Sequence, residues 1–142
     1  MSQNLVFDSE LAKRHPINIL LVDDNAINLK VASRMLLRMG YEVDQATNGL
    51  EAVEAQTKNG YDLIFMDIQM PEMDGYRTTA EIRRHEKEGK RAIPIIALTA
   101  SAFLTEKEKA VLFGMDDHVG KPFSPDELKE KIKRCLQVQN EG

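Results

Sequence analysis

Three aspartates in two places carry the chemical signal of this chain. Asp23 and Asp24 follow the apolar run Ile17–Val22, and Asp67 follows Leu63–Met66. If those runs are neighbouring parallel strands, the carboxylates converge at one sheet edge, where like charges repel unless a cation joins them. The pattern points to an acidic pocket for a hard divalent cation such as Mg2+, which takes oxygen ligands and keeps several waters. With a cation in place, one carboxylate is still able to attack phosphorus and form an aspartyl phosphate. Asp67 is the best placed, because it ends a central buried run and the Ile68-Gln69-Met70-Pro71 loop after it can supply a carbonyl ligand. Phosphoryl transfer needs neutralisation of the equatorial oxygens more than it needs proton transfer. Lys121 offers a point charge, Thr99 a hydroxyl donor, and the metal the remainder.

These residues need a scaffold, and the hydrophobic pattern supplies one. Apolar β-branched runs alternate with longer amphipathic stretches separated by Gly, Asn and Asp, the signature of repeated βα units. The strands are expected at Ile17–Val22, Glu42–Ala46, Leu63–Met66, Ile93–Leu98 and His118–Gly120. Helices are expected over Ala26–Met39, stopped by Gly40, and over Asn48–Lys58, closed by Asn59-Gly60. Three more follow: Tyr76–Lys87 ending at Gly89, Thr105–Phe113 closed by Gly114, and one opening at Ser124-Pro125-Asp126-Glu127, a capping box with proline at the first helical position. Five right-handed βα units build an open parallel sheet covered by helices on both faces. Ligands bind such sheets beyond the carboxyl ends of the strands. Asp23, Asp24, Asp67, Thr99 and Lys121 each follow a stretch of strand, so all are expected to meet there.

At 142 residues the chain fits one domain, able to bury roughly two-thirds of its unfolded surface. Residues 1–15 are expected as an N-terminal tail or linker, 16–138 as the domain, and 139–142 as a C-terminal tail. Cys135 has no second cysteine to pair with, and no Cys/His cluster has zinc spacing, which fits a reducing, cytoplasmic setting. The net charge of −4, with both signs interspersed, argues against direct nucleic-acid contact. Direct membrane contact is not expected either: the longest apolar run, Ala92–Leu98, is interrupted by Pro94. The N-terminus also lacks the basic start and apolar stretch of a signal peptide.

Val22-Asp23-Asp24-Asn25, the stretch from Met66-Asp67 through Pro71 to Asp74-Gly75, Ala97-Leu98-Thr99-Ala100 and Lys121-Pro122 resemble the receiver (phosphoacceptor) domain of two-component response regulators, in order and at family spacing from about Ile17 to Leu136. The match is most similar to receivers attached to hybrid sensor histidine kinases. The resemblance implies a flavodoxin-like (βα)5 fold with strand order 2-1-3-4-5 and phosphorylation of Asp67 from a phosphohistidine donor. It also implies Mg2+ on Asp24, Asp67 and the Gln69 carbonyl, with Mn2+ able to substitute and Asp23 acting through a metal-bound water. Lys121-Pro122 is expected as a cis peptide. Partners would be a histidine kinase or a histidine phosphotransfer domain, and the domain itself a monomer or weak dimer. It would not be an enzyme in the separate sense, but a phosphoacceptor that catalyses its own phosphorylation and dephosphorylation.

The chain departs from the family at His118. Receivers usually carry Tyr or Phe three residues before the lysine, a ring that swings inward when the Thr/Ser hydroxyl, here that of Thr99, follows the phosphoryl group; a histidine there is polar and titratable. On the Ala26–Met39 helix, Leu29, Val31, Ala32, Met35, Leu36 and Met39 share one arc, expected to face the sheet. Ile27 and Leu37 fall outside it, among Lys30, Arg34 and Arg38, and read as a docking face beside the acids. Simpler readings exist for the parts: Asp23 or Asp24 as a helix N-cap, Lys121 as a solvated lysine, Thr99 as an ordinary strand-end residue. Two other functions are conceivable. A haloacid-dehalogenase-like Mg phosphatase requires an acid two residues after the nucleophile, where Gln69 stands; a phosphate-independent interaction domain would not need Asp67, Thr99 and Lys121 together.

Overall fold

The computed structural model describes residues 9–68, 70, 73–86, 92–99 and 114–140, with side chains to 136. Its strands are β1 (Ile19–Val22), β2 (Asp44–Ala46), β3 (Leu63–Asp67), β4 (Ile95–Thr99) and β5 (Asp117–Gly120), all parallel, in the order β2-β1-β3-β4-β5. The helices are α1 (Leu11–Arg14), α2 (Ala26–Arg38), α3 (Gly49–Asn59), α4 (Gly75–Arg84) and α5 (Pro125–Asn140). The helix expected over Thr105–Phe113 lies outside the described residues.

Strand periodicity divides the core into two layers. Ile19, Leu21, Leu63, Phe65, Ile96, Leu98 and Val119 pack on one face against Leu29, Ala32 and Leu36 of α2 and Leu128 and Ile132 of α5. Leu20, Val22, Ile64, Met66, Ile95 and Ala97 face the other way, toward Ala52 of α3 and Ile82 of α4. β1, β3 and β4 are therefore buried on both faces, which explains their near-continuous apolar sequences. Short polar β2 sits at the edge, where only Ala46 needs cover. Gly40 adopts φ +97° just past the cap of α2, the left-handed conformation that ends a helix.

Several expectations need correction. The turn α1 buries Leu11 completely, and the Ala12 N–H donates to the Met39 carbonyl at 3.0 Å, so the segment read as a tail is folded against the core from Leu11 onward. Val31 is 40% exposed instead of facing the sheet. It lies roughly 40° around the helix beyond Met35, itself only half-buried, and so past the edge of the buried arc. α4 stops at Arg84, not Lys87; the His85 N–H closes it on the Glu81 and Ile82 carbonyls. β4 starts two residues later than Ile93 and runs on through Thr99, while β5 gains Asp117.

Candidate phosphoacceptor and metal site

The order of β2, β1 and β3 reverses the chain between β1 and β3, and a crevice opens where such a reversal occurs. Val22 pairs with Met66, so Asp23 and Asp67 leave adjacent strands at the same height. One oxygen from each of Asp23, Asp24 and Asp67 lies within 4.8 Å of the others. Asp23 is 1% exposed and Asp67 4%, while Asp24 is exposed.

The capping role goes to a neighbour. Asn25 is the N-cap of α2, its side chain accepting from the Ile27 and Asn28 N–H groups, while its own N–H donates to Asp23 Oδ1 at 2.9 Å. Asp23 and Asp24 are thereby left for the crevice. Across it, β4 and β5 pair Thr99 with Gly120, and the Lys121 N–H donates to the Thr99 carbonyl at 2.8 Å. That pairing aims the lysine at the acids. Its Nζ lies 3.3 Å from Asp67 Oδ1 and 3.1 Å from Asp23 Oδ2. The second contact is an ion pair without hydrogen-bond alignment, because Asp23 Oδ2 is buried with no hydrogen-bond partner. The Lys121-Pro122 peptide is cis, as expected.

Electrostatically the crevice is short of positive charge. Burial, and then the Asp23 carboxylate, push the Asp67 carboxyl up to about 7, with Lys121 opposing them. Among the described residues, the Lys121 ammonium pairs with Asp23 and Asp67, while Asp24 completes the group of three acids. A buried carboxylate oxygen without a hydrogen bond, in an all-oxygen donor set, fits a hard divalent cation. Asp23, Asp24 and Asp67 are the residues able to hold it. The Gln69 carbonyl expected as a further ligand lies outside the described residues.

Thr99 ends β4 one residue beyond the partner of Asp67, and His118 lies on β5 two residues before the Gly120 that pairs with Thr99. Thr99 is buried at the end of β4, with its hydroxyl a long 3.5 Å from the Val119 carbonyl. His118 is half-buried on β5; its Nδ1 is buried without a hydrogen bond, 3.6 Å from Asp117 Oδ1. Burial pulls the Asp117 carboxyl upward, but Lys131 at 2.9 Å and the His118 N–H together hold it below its ordinary value.

On α2, Ile27 is 71% and Leu37 56% exposed, with Lys30, Arg34 and Arg38 exposed around them. Val31 joins this face, and Leu50 at the start of α3 is 61% exposed. The sequence pattern places Val31 with the sheet-facing arc, and Leu50, close to Ala52 and Val53, reads as an ordinary apolar residue of the second helix. Asn25 is not singled out by that pattern, although Asn in front of a helix is a capping signal.

Residues 19–133 match the family described as response regulator receiver domain. Hybrid signal transduction histidine kinase F of Dictyostelium discoideum is 45% identical over 86% of this chain and 11% of its own length. The sensor protein GacS of Pseudomonas syringae pv. syringae is 42% identical over 86% of the chain and 14% of its length. The chain thus spans a small fraction of these curated relatives. Among solved structures, the receiver domain of the Arabidopsis thaliana histidine kinase CKI1, complexed with Mg2+ and BeF3-, has 35% identity and a TM-score of 0.81, with 92% of this chain and 95% of that one covered. A Saccharomyces cerevisiae structure pairing the phosphotransfer protein Ypd1 with the receiver domain of Ssk1 gives 35% identity and a TM-score of 0.78, covering 85% of this chain and 90% of that one. A sheet in the order 2-1-3-4-5 that brings Asp23, Asp67, Thr99 and Lys121 to one edge, together with these matches, places the chain in the response regulator receiver domain family.

Proposed function

We propose that this receiver takes a phosphoryl group from a phosphohistidine onto Asp67, in a Mg2+-dependent reaction, within a phosphorelay of the hybrid-kinase kind. The single observation that carries the reading is the Lys121 ammonium set between two buried carboxylates, within ion-pair distance of both. In the transfer, an Asp67 carboxylate oxygen forms a bond to phosphorus as the bond from phosphorus to the donor's imidazole nitrogen breaks, and that nitrogen keeps the electron pair. Lys121 opposes the burial that keeps Asp67 protonated, and it faces the phosphoryl oxygens. Asp23, fixed by the Asn25 N–H, and Asp24 would hold Mg2+ together with Asp67; the bound cation neutralises the acids and draws charge from the phosphoryl oxygens. Mn2+, with the same oxygen preference, is expected to substitute.

Thr99 ends β4, one residue beyond the Leu98 that pairs with Asp67; by the family resemblance its hydroxyl is assigned as the donor that follows the phosphoryl group, with His118 on the neighbouring strand as the residue that responds. The exposed Ile27, Lys30, Arg34, Leu37 and Arg38 face of α2 is assigned to the phosphohistidine-bearing partner: apolar residues at the centre of contact and cations steering the encounter. The functional unit is the domain expected over 16–138, extended by α1, in the cytoplasm. Among the described residues no helix is long and apolar enough to cross a membrane.

The test is incubation of the purified chain with MgCl2 and phosphoramidate, followed by intact-mass measurement and an acid-phosphate stability profile. One acyl-phosphate per chain, lost in excess chelator and restored by MnCl2, is expected. No mass gain, or labelling indifferent to chelator, would overturn the reading.

A further inference from the structure

The helix after the phosphoacceptor strand begins against the main chain of the phosphoacceptor itself. Gly75, first residue of α4, donates its N–H to the Ile68 carbonyl at 2.8 Å. A Cβ added to Gly75 would lie 2.3 Å from the Asp67 carbonyl oxygen, 2.8 Å from Ile68 Cα and 3.1 Å from the Asp67 carbonyl carbon. All three are backbone atoms, so no side chain can swing aside to make room. The far end of the same connection is also fastened. Asp74 caps α4 through the Arg77 N–H, and the Thr78 hydroxyl donates to the Asp74 carbonyl at 2.8 Å. A chain that must leave a buried strand, turn and re-enter a helix is thus clamped at residues 68 and 75, with the carboxylate of Asp67 one residue before the clamp.

We propose that Gly75 is a positioning residue for the divalent cation: the bare Cα of α4 seats the Asp67–Ile68 backbone, and through it the Asp67 carboxylate, at the distance from Asp23 and Asp24 that a cation spans. This rests on the metal-dependent reading above. Any side chain at position 75 must force the start of α4 and the Asp67–Ile68 peptide apart, and octahedral Mg2+ tolerates ligand displacement poorly. The effect differs from loss of packing. Ile82 lies on the same helix, 2% exposed in the core beneath it; its truncation removes apolar packing from the cluster that also holds Met66 and Ile68, but places no new atom against the Asp67 backbone.

Metal-free parent, Gly75→Ala, Thr78→Val and Ile82→Ala proteins are titrated with MgCl2 alone, following backbone amide NMR shifts, and each is unfolded with urea in chelator. The expected result is a Mg2+ dissociation constant raised at least about tenfold in Gly75→Ala and several-fold in Thr78→Val. Ile82→Ala should unfold at lower urea yet bind Mg2+ like the parent. Parent affinity in a folded Gly75→Ala protein overturns the inference, as does loss of affinity in Ile82→Ala equal to that in Gly75→Ala. If Gly75→Ala does not fold, Thr78→Val decides: unchanged affinity there overturns it. A parent that shows no Mg2+ response contradicts the metal-dependent function itself, a distinct outcome.

Discussion

Replacing Asp67 by Asn should stabilise the metal-free domain at neutral pH, although it removes the residue on which the proposed function depends. Burial first, and the Asp23 carboxylate second, raise Asp67 from an ordinary 3.8 to about 7. The unfolded chain releases this proton near 3.8 while the folded domain keeps it to about 7, so between those values the folded state binds more protons. The group's favourable contribution is therefore complete below the unfolded value and is lost as pH rises toward 7. At 1.36 kcal/mol per unit, the interval sets a ceiling of about 4 kcal/mol. Relaxation and water entry reduce such penalties, which leaves a gain of roughly 2–3 kcal/mol for Asp67→Asn at neutral pH. Urea unfolding in excess chelator measures it: at about pH 8 the variant's midpoint should lie about 1 M above the parent's, and at about pH 4 the two should nearly coincide. Asp117, whose carboxyl is held low, contributes in the opposite sense but equally to both proteins, so the difference isolates Asp67. Saturating Mg2+ should close the gap by stabilising the parent alone. A variant no more stable than the parent at pH 8, or equally ahead at both pH values, would refute the reasoning.

Other outcomes follow from named contacts. Lys121→Ala should retain some labelling by a small phosphodonor but at a rate reduced by about tenfold or more, since a point charge and not the nucleophile is lost; rates from intact-mass time courses check it. Ile27→Asp should slow transfer from a phosphotransfer protein while leaving small-donor labelling intact, and equal slowing of both would place the effect in the crevice or in folding. Leu11→Ala should cost about 2–4 kcal/mol by urea denaturation, because its side chain is fully buried; a change under about 0.5 kcal/mol would return α1 to the status of a tail.

How much of this was legible in the sequence depends on whether local pattern or tertiary contact decides each feature. Leu63–Met66 and Ile95–Leu98 are apolar without alternation because both sheet faces are covered, and that signal marks buried parallel strands directly. The acids, Thr99 and Lys121 stand at strand ends, where topology alone brings them together. Leu11 was not legible, since one apolar residue in a polar stretch has no period and its burial comes from the end of α2. Val31 sits at the margin of a helical arc, and whether a margin is covered depends on how wide the neighbouring layer is. Which of Asp23, Asp24 and Asn25 caps α2 is settled by backbone conformation: Asn25, at φ −95° and ψ 116°, is the extended residue from which a side chain reaches the first free N–H groups. The constraint on Gly75 is likewise invisible in one dimension, because the atoms that exclude a Cβ belong to residues 67 and 68.

The central claim is that Asp67 itself carries the phosphoryl group. After labelling with phosphoramidate and MgCl2, borohydride reduction converts an aspartyl phosphate to homoserine, and peptide mass mapping then locates it. The account predicts homoserine at position 67 alone, absent from Asp67→Asn and from the chelator control; homoserine at Asp23 or Asp24, or undiminished labelling of Asp67→Asn, would contradict it.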